Sequence, residues 1–202
     1  MATAINVLLF DLGGVLVEFS GVRDIAPLLR EELSEAEIRD RWHNCRHTRE
    51  FGLGKLSQQD FGERFVRDWN LNLSPEDFLR EFRTWSKQLL PGAAELLASL
   101  RPRFRLAALS NSNELHWERN TDDLGLIGMF ETAISSHQIG LCKPDPRAYL
   151  VTLERLCVPP QAVMFFDDVP AHIEAASRLG IHAFQVEGVE GVREKLSSQG
   201  IL

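Results

Sequence analysis

Four short segments place side chains that can do chemistry at separated points along the chain. In Phe10-Asp11-Leu12-Gly13-Gly14-Val15 a carboxylate follows an apolar run, and two glycines let the backbone turn tightly and bring its carbonyls near a ligand. An uncompensated buried carboxylate is costly, so Asp11 is either part of a site or a solvated strand end. Leu109-Ser110-Asn111-Ser112-Asn113 offers hydroxyls, amides and N–H groups at a helix entrance, which suits phosphate or simple helix capping. Lys143-Pro144-Asp145-Pro146 puts a cation on a proline-stiffened corner, where it can hold a phosphate as a point charge or stand in solvent. Phe165-Phe166-Asp167-Asp168 ends in paired carboxylates that raise each other's pKa unless a cation intervenes. Oxygen ligands of this kind fit Mg2+.

Each segment sits where a strand is expected to end. The β-rich runs are Ile5–Phe10, Phe104–Leu109, Thr132–Ser135, Val163–Phe166 and Ala183–Val186. Helical patterns separate them at Ala93–Leu100, Glu114–Leu124, Arg147–Leu156, Ala171–Leu179 and Gly191–Ser198, which predicts a parallel sheet covered on both faces. Asp145-Pro146 reads as an N-cap with proline in the first turn, and Gly180 as a C-cap. Ligands in such sheets bind beyond the carboxyl ends of the strands, so Asp11, Ser110, Lys143, Asp167 and Asp168 are expected at one edge. A nucleophilic carboxylate, a hydroxyl, a lysine and a metal-binding acid pair are the parts that phosphoryl transfer through an aspartyl phosphate needs.

Residues 18–88 break the alternation: strand signals stop and helix starts multiply. Ser34 to Glu37 forms a capping box, Ser57 and Asp60 repeat the arrangement, and Ser74-Pro75-Glu76-Asp77 adds a first-turn proline. Val22, Ile25, Ala26, Leu29 and Leu33 share one helical face, and Phe61, Phe65 and Trp69 another. With Trp42 and Trp85 they predict the core of a small helical bundle inserted after the first strand.

The 202 residues carry 22 basic and 29 acidic side chains, a formal charge of −7, with 44% hydrophobic and 25% charged residues. That is an ordinary globular composition, and its sign argues against a nucleic-acid partner, which needs a basic face. The apolar run Ile5–Phe10 is too short for a signal or a membrane span, so no membrane partner is expected. Cys45, Cys142 and Cys157 have no metal spacing and read as reduced thiols of a cytoplasmic protein.

The four segments come in the order and at the intervals of the haloacid dehalogenase-like hydrolase superfamily, which the chain resembles over essentially its whole length. Asp-Leu-Gly-x-Val and Ser-Asn-x-Asn-x-Leu-His, here running through Leu115-His116, are most similar to the bacterial glucose-1-phosphate phosphatase subgroup. The resemblance implies an α/β fold: a Rossmann-like parallel sheet core, residues 1–17 and 89–202, with a small helical cap, residues 18–88. It casts Asp11 as nucleophile, Ser110 and the Asn111 amide as the phosphate turn, and Lys143 as the charge-neutralising lysine. Mg2+ would take Asp11, the Gly13 carbonyl, Asp167 and Asp168. The implied activity is Mg2+-dependent release of phosphate from a small phosphorylated metabolite, such as a sugar phosphate.

Gly13 departs from the pattern, because most phosphatases of the family carry a second aspartate there that protonates the leaving oxygen. Losing a general acid costs on the order of 10²–10⁴ in rate. Glu18 and His172 are candidates to replace it. The same absence is typical of the dehalogenase branch, so a metal-independent 2-haloacid dehalogenase and a phosphate-binding regulatory module without turnover are the alternatives. The acid pair favours the phosphatase, since it would be uncompensated without a metal. In the insertion, Arg39, Arg41, Arg46, Arg49 and Lys55 outnumber Asp40 and Glu50, with His43 and His47 among them. This patch could steer an anionic substrate or be an ordinary mixed helix surface, and His43, Arg46, His47 and Arg49 are the candidate substrate contacts.

Overall fold

The computed structural model describes residues 4–202. Five strands form one all-parallel sheet in the order β5-β4-β1-β6-β7: β1 (Val7–Phe10), β4 (Arg105–Ser110), β5 (Thr132–Ser135), β6 (Val163–Asp167) and β7 (His182–Gln185). Central β1 is wholly buried and pairs with β4 on one side and β6 on the other, Leu9 lying opposite both Ala107 and Phe165. Strand alternation sorts its side chains onto two faces. Leu8 and Phe10 pack with α6 (Ala93–Leu100) and α11 (Gly188–Ser198), while Val7 and Leu9 pack with α9 (Pro146–Leu156) and α10 (Pro170–Arg178). These are the expected strands and helices, with ends shifted by a few residues.

Between β1 and β4 the chain makes α1 (Val22–Ile25), α2 (Glu35–His43), α3 (Arg46–Gly52), α4 (Gln58–Asp68) and α5 (Pro75–Arg83). The serine starts are as expected: Ser34 and Glu37 form both bonds of a capping box, and Ser57 and Ser74 accept from the N–H groups of Asp60 and Asp77. Phe51 stacks on Phe61 at 4.3 Å and Phe65 on Phe78 at 4.7 Å, in a separate aromatic core that also takes Trp69, Phe82 and Trp85. Leu115, from the sheet side, is buried in the same cluster.

Three expectations change. The helix anticipated over the 22–33 stripe stops at Ile25 and continues only as a 3₁₀ turn over Ala26–Leu28, because Pro27 brings no N–H to a helix interior. The insertion is also tied to the sheet unit by strands that the sequence did not signal, β2 (Val17–Phe19) and β3 (Ser86–Leu89), paired antiparallel. Ser86-Lys87-Gln88-Leu89 is too polar to read as a strand; its partner supplies the reason for its extension. The expected helix Glu114–Leu124 is α7 (Glu114–Glu118) followed by a π-helical turn over Arg119–Asp123. One further short helix, α8 (Ser136–Ile139), follows β5. No helix among the described residues is long and apolar enough to cross a membrane.

Candidate active site

The carboxyl edge of the sheet gathers Asp11, one residue past β1, with Ser110 at the end of β4 and Asp167 at the end of β6. Lys143 arrives on the loop before α9. Its side chain is completely buried, and Nζ lies 2.9 Å from Asp11 Oδ1 and 2.6 Å from Asp167 Oδ2. A buried ammonium persists only when paired and hydrogen-bonded, and here two carboxylates do this. Asn111 fixes the lysine's backbone from both directions: its Nδ2 donates to the Lys143 carbonyl at 2.8 Å and its Oδ1 accepts from the Lys143 N–H at 2.8 Å. Sequence reading assigned Asn111 only its main-chain amide, so this clamp was missed.

The two acids of the pair differ. Asp167 is fully buried and its oxygens are occupied: Oδ1 accepts from the Val169 N–H and contacts His172 Nδ1, each at 2.9 Å, and Oδ2 holds Lys143. Despite burial, the His172 and Lys143 contacts hold its pKa below the usual aspartate range. Asp168 makes no side-chain hydrogen bond to another residue among the described residues, and burial, with Asp11 and Asp167 nearby, pushes its pKa up. Its carboxylate lies against the nucleophile loop. Gly14 has φ +75°, which favours glycine, and a Cβ there would press on the Asp168 carboxylate and displace it. The two acids therefore differ in surroundings: Asp168 has oxygens free of hydrogen bonds to other described residues, and Asp167 anchors Lys143 and His172.

Asp11 Oδ1 also accepts from the Leu12 N–H at 2.7 Å, while Oδ2 has no hydrogen bond among the described residues. Burial outweighs the neighbouring lysine and raises the Asp11 pKa. The Ser110 hydroxyl, in a residue 5% exposed, and the Gly13 carbonyl likewise lack hydrogen bonds among the described residues. Two carboxylates thus hold one ammonium, and a third, Asp168, lies near them. A divalent cation fits this donor set because it would neutralise the surplus that holds Asp11 and Asp168 toward their protonated forms. Asp11, Asp167 and His172 also bring ligand atoms within 4.8 Å of one another, but Lys143 occupies the gap between the two acids.

Of the replacements considered for the missing acid, His172 is committed through Nδ1 to Asp167, and Glu18 pairs with Arg23 at 3.1 Å. The cap candidates are not brought to this edge by any hydrogen bond or ion pair among the described residues. His43 contacts the Arg39 carbonyl, Arg46 pairs with Glu50, His47 pairs with Asp68, and Arg49 is exposed with no ion-pair partner among the described residues. Helical spacing explains the first two, since i and i+4 side chains are neighbours.

A family model described as haloacid dehalogenase-like hydrolase matches residues 5–180. The chain is 24% identical over 197 residues to a D-ribitol-5-phosphate phosphatase of Bacteroides thetaiotaomicron, covering 94% of this chain and 96% of the relative. It is 29% identical over 210 residues to a phosphatase of Mycobacterium tuberculosis, covering 98% and 97%. Its fold matches a haloacid dehalogenase family enzyme of Bacteroides thetaiotaomicron solved with magnesium and inorganic phosphate, with TM-score 0.78 and 20% identity, covering 91% and 95% of the two chains.

Proposed function

The chain belongs to the haloacid dehalogenase-like hydrolase family, and we propose that within it the protein is a Mg2+-dependent phosphatase of a small phosphorylated metabolite such as a sugar phosphate. The observation that carries this reading is the charge imbalance at the carboxyl edge: Asp11 and Asp167 share Lys143, Asp168 lies beside them with free oxygens, and Asp11 and Asp168 are both raised. A metal-independent dehalogenase would leave that surplus uncompensated, and the matched relatives named as phosphatases support the same choice.

In this proposal Asp11 attacks phosphorus and forms an aspartyl phosphate as the P–O bond to the leaving group breaks. The Ser110 hydroxyl and the Asn111 N–H hold phosphoryl oxygens, and Lys143 neutralises charge that grows on them. A cation held by Asp11, the Gly13 carbonyl and Asp168 would supply further neutralisation of the phosphoryl oxygens when bound. Gly13 offers no proton, so the departing oxygen takes one from solvent; water then cleaves the acyl phosphate and frees Asp11. Asp167 and His172 act behind Lys143. The division into a core of residues 1–17 and 89–202 and a cap of 18–88 belongs to the same proposal. So does a cytoplasmic location, which the unpaired Cys45, Cys142 and Cys157 support.

The test is phosphate release from a panel of monoesters with Mg2+ or EDTA. EDTA is expected to abolish it, and Asp11→Asn to lower it at least about 10³-fold. Full activity in either case overturns the mechanism, and metal-free halide release from 2-haloacids would replace it.

A further inference from the structure

Four large apolar side chains remain exposed among the described residues, and two of them, Phe19 and Val169, border the carboxyl edge. A scattered exposed apolar residue needs no explanation. Phe19 is different, because the chain around it is shaped to hold its ring in place while leaving it 41% exposed. A Cβ on Gly13 would lie 3.8 Å from the Phe19 Cβ, so this residue borders the space that a side chain two positions after Asp11 would fill. Behind it, the His116 ring meets Phe19 edge-on at 5.3 Å. His116 is itself fixed, with Nε2 2.7 Å from the Phe82 carbonyl and Nδ1 3.0 Å from Asn113 Nδ2. On the third side, Gly21 turns with φ +36°, and a Cβ there would come within 2.8 Å of the Phe19 ring. Val169 is tethered at the start of α10 by its N–H bond to Asp167 Oδ1.

A ring braced in this way loses little freedom when a second flat surface packs on it, and it lies beside the loop that carries the nucleophile. We propose that Phe19 is a specificity-determining residue that packs against the leaving group, so that the site takes phosphate monoesters whose alcohol presents a flat apolar ring face, aryl or pyranose. This rests on the phosphatase reading and narrows it. It also separates the chain from the D-ribitol-5-phosphate phosphatase it resembles, whose named substrate is an open-chain polyol phosphate.

Non-hydrolysable phosphonates test the inference without turnover. Mg2+-loaded protein is titrated calorimetrically with methylphosphonate, phenylphosphonate and a pyranosyl C-phosphonate. At least one ring phosphonate is expected to bind about tenfold more tightly than methylphosphonate, the size of a good aromatic contact. Phe19→Ala should reduce that preference to within about twofold, Phe19→Trp should retain it, and neither should alter methylphosphonate binding. Phe19→Leu, which keeps bulk without a ring, should fall between. Which ring phosphonate responds identifies the source as aryl or pyranose. Equal binding of all three, or a preference that survives Phe19→Ala, overturns the inference and leaves the phosphatase reading standing. Failure of every phosphonate to bind overturns both.

Discussion

The cap surface and the carboxyl edge of the sheet both concentrate charge, but they balance it differently. On the cap, Arg39 pairs with Glu35, Arg41 with Glu31, Arg46 with Glu50 and His47 with Asp68. Most of the arginines there have an acid within reach, though Arg49 and Lys55 have none among the described residues, and exposed pairs of this kind contribute about 0–1 kcal/mol each. At the edge, buried Asp11 and Asp167 share Lys143, half-buried Asp168 stands beside them without an ion pair among the described residues, and Asp11 and Asp168 are held toward protonation. Charge neutralised by its own neighbours stabilises a surface. Charge left unbalanced where burial makes it costly is maintained for something that arrives from outside.

Asp168→Asn tests that distinction most severely. It removes the acid with free oxygens while keeping its shape, and it is expected to lower phosphate release about 10²-fold or more. The same change should raise the melting temperature of the metal-free protein at neutral pH. Burial, then Asp11 and Asp167, lifts the Asp168 pKa in the folded chain above its ordinary value of 3.8. Between those two pKa values the folded state holds the extra proton, so stability falls as pH rises through that window and stays lowered above it. Below 3.8 the penalty is absent in both proteins, so their melting temperatures should converge in acid. A metal-free variant no more stable than its parent at pH 7 would mean that the edge is not frustrated.

How much of this was legible in the sequence follows the same division. The strand ends and the four segments were readable because apolar runs stopping at Asp11, Ser110 and Asp167 leave a local mark. β3 left none, since Ser86-Lys87-Gln88-Leu89 is extended only by pairing with β2. The different roles of Asp167 and Asp168 were equally hidden: the residues are adjacent and identical, and only the positions of Lys143, His172 and Gly14 tell them apart. The charge balance of the cap patch was only partly legible for a related reason. Counting over residues 39–55 included Arg41 and His47 but missed Glu31 and Asp68, which lie outside that window and close only in the fold. Phe19 had no sequence signal, because its significance lies in two glycines and a histidine around it.

The edge carries surplus acid yet lacks a proton donor at position 13, and supplying one sharpens the contrast between charge and chemistry. A side chain fits there, since its Cβ would meet only the Phe19 Cβ at 3.8 Å, an ordinary contact. Gly13→Asp should therefore raise kcat on alkyl phosphates, whose leaving oxygen needs protonation, by about 10–10²-fold, toward the lower part of what general acids contribute. Aryl phosphates, with better leaving groups, should gain little, so the aryl-to-alkyl rate ratio should shrink. An unchanged ratio would show that proton delivery at this position does not limit the reaction.

The smallest effect is expected on the cap. In Arg46→Ala/His47→Ala, a guanidinium and an imidazole of the patch are removed from Glu50 and Asp68 rather than from the edge. The Arg46–Glu50 pair should add little to stability, because Arg46 is 80% exposed at its side chain and the pair is screened by water, so any destabilisation should come mainly from His47, whose side chain is 17% exposed. kcat/KM for phosphate esters should stay within about twofold of the parent at low and high salt alike. A substrate steered by this patch would behave otherwise: kcat/KM would drop in the variant at low ionic strength, and added salt would close the gap, because screening weakens attraction across a Debye length. That salt signature distinguishes steering from structural pairing even if the double variant loses some stability. Its appearance would make the cap an electrostatic partner of the carboxyl edge rather than its neutralised counterpart.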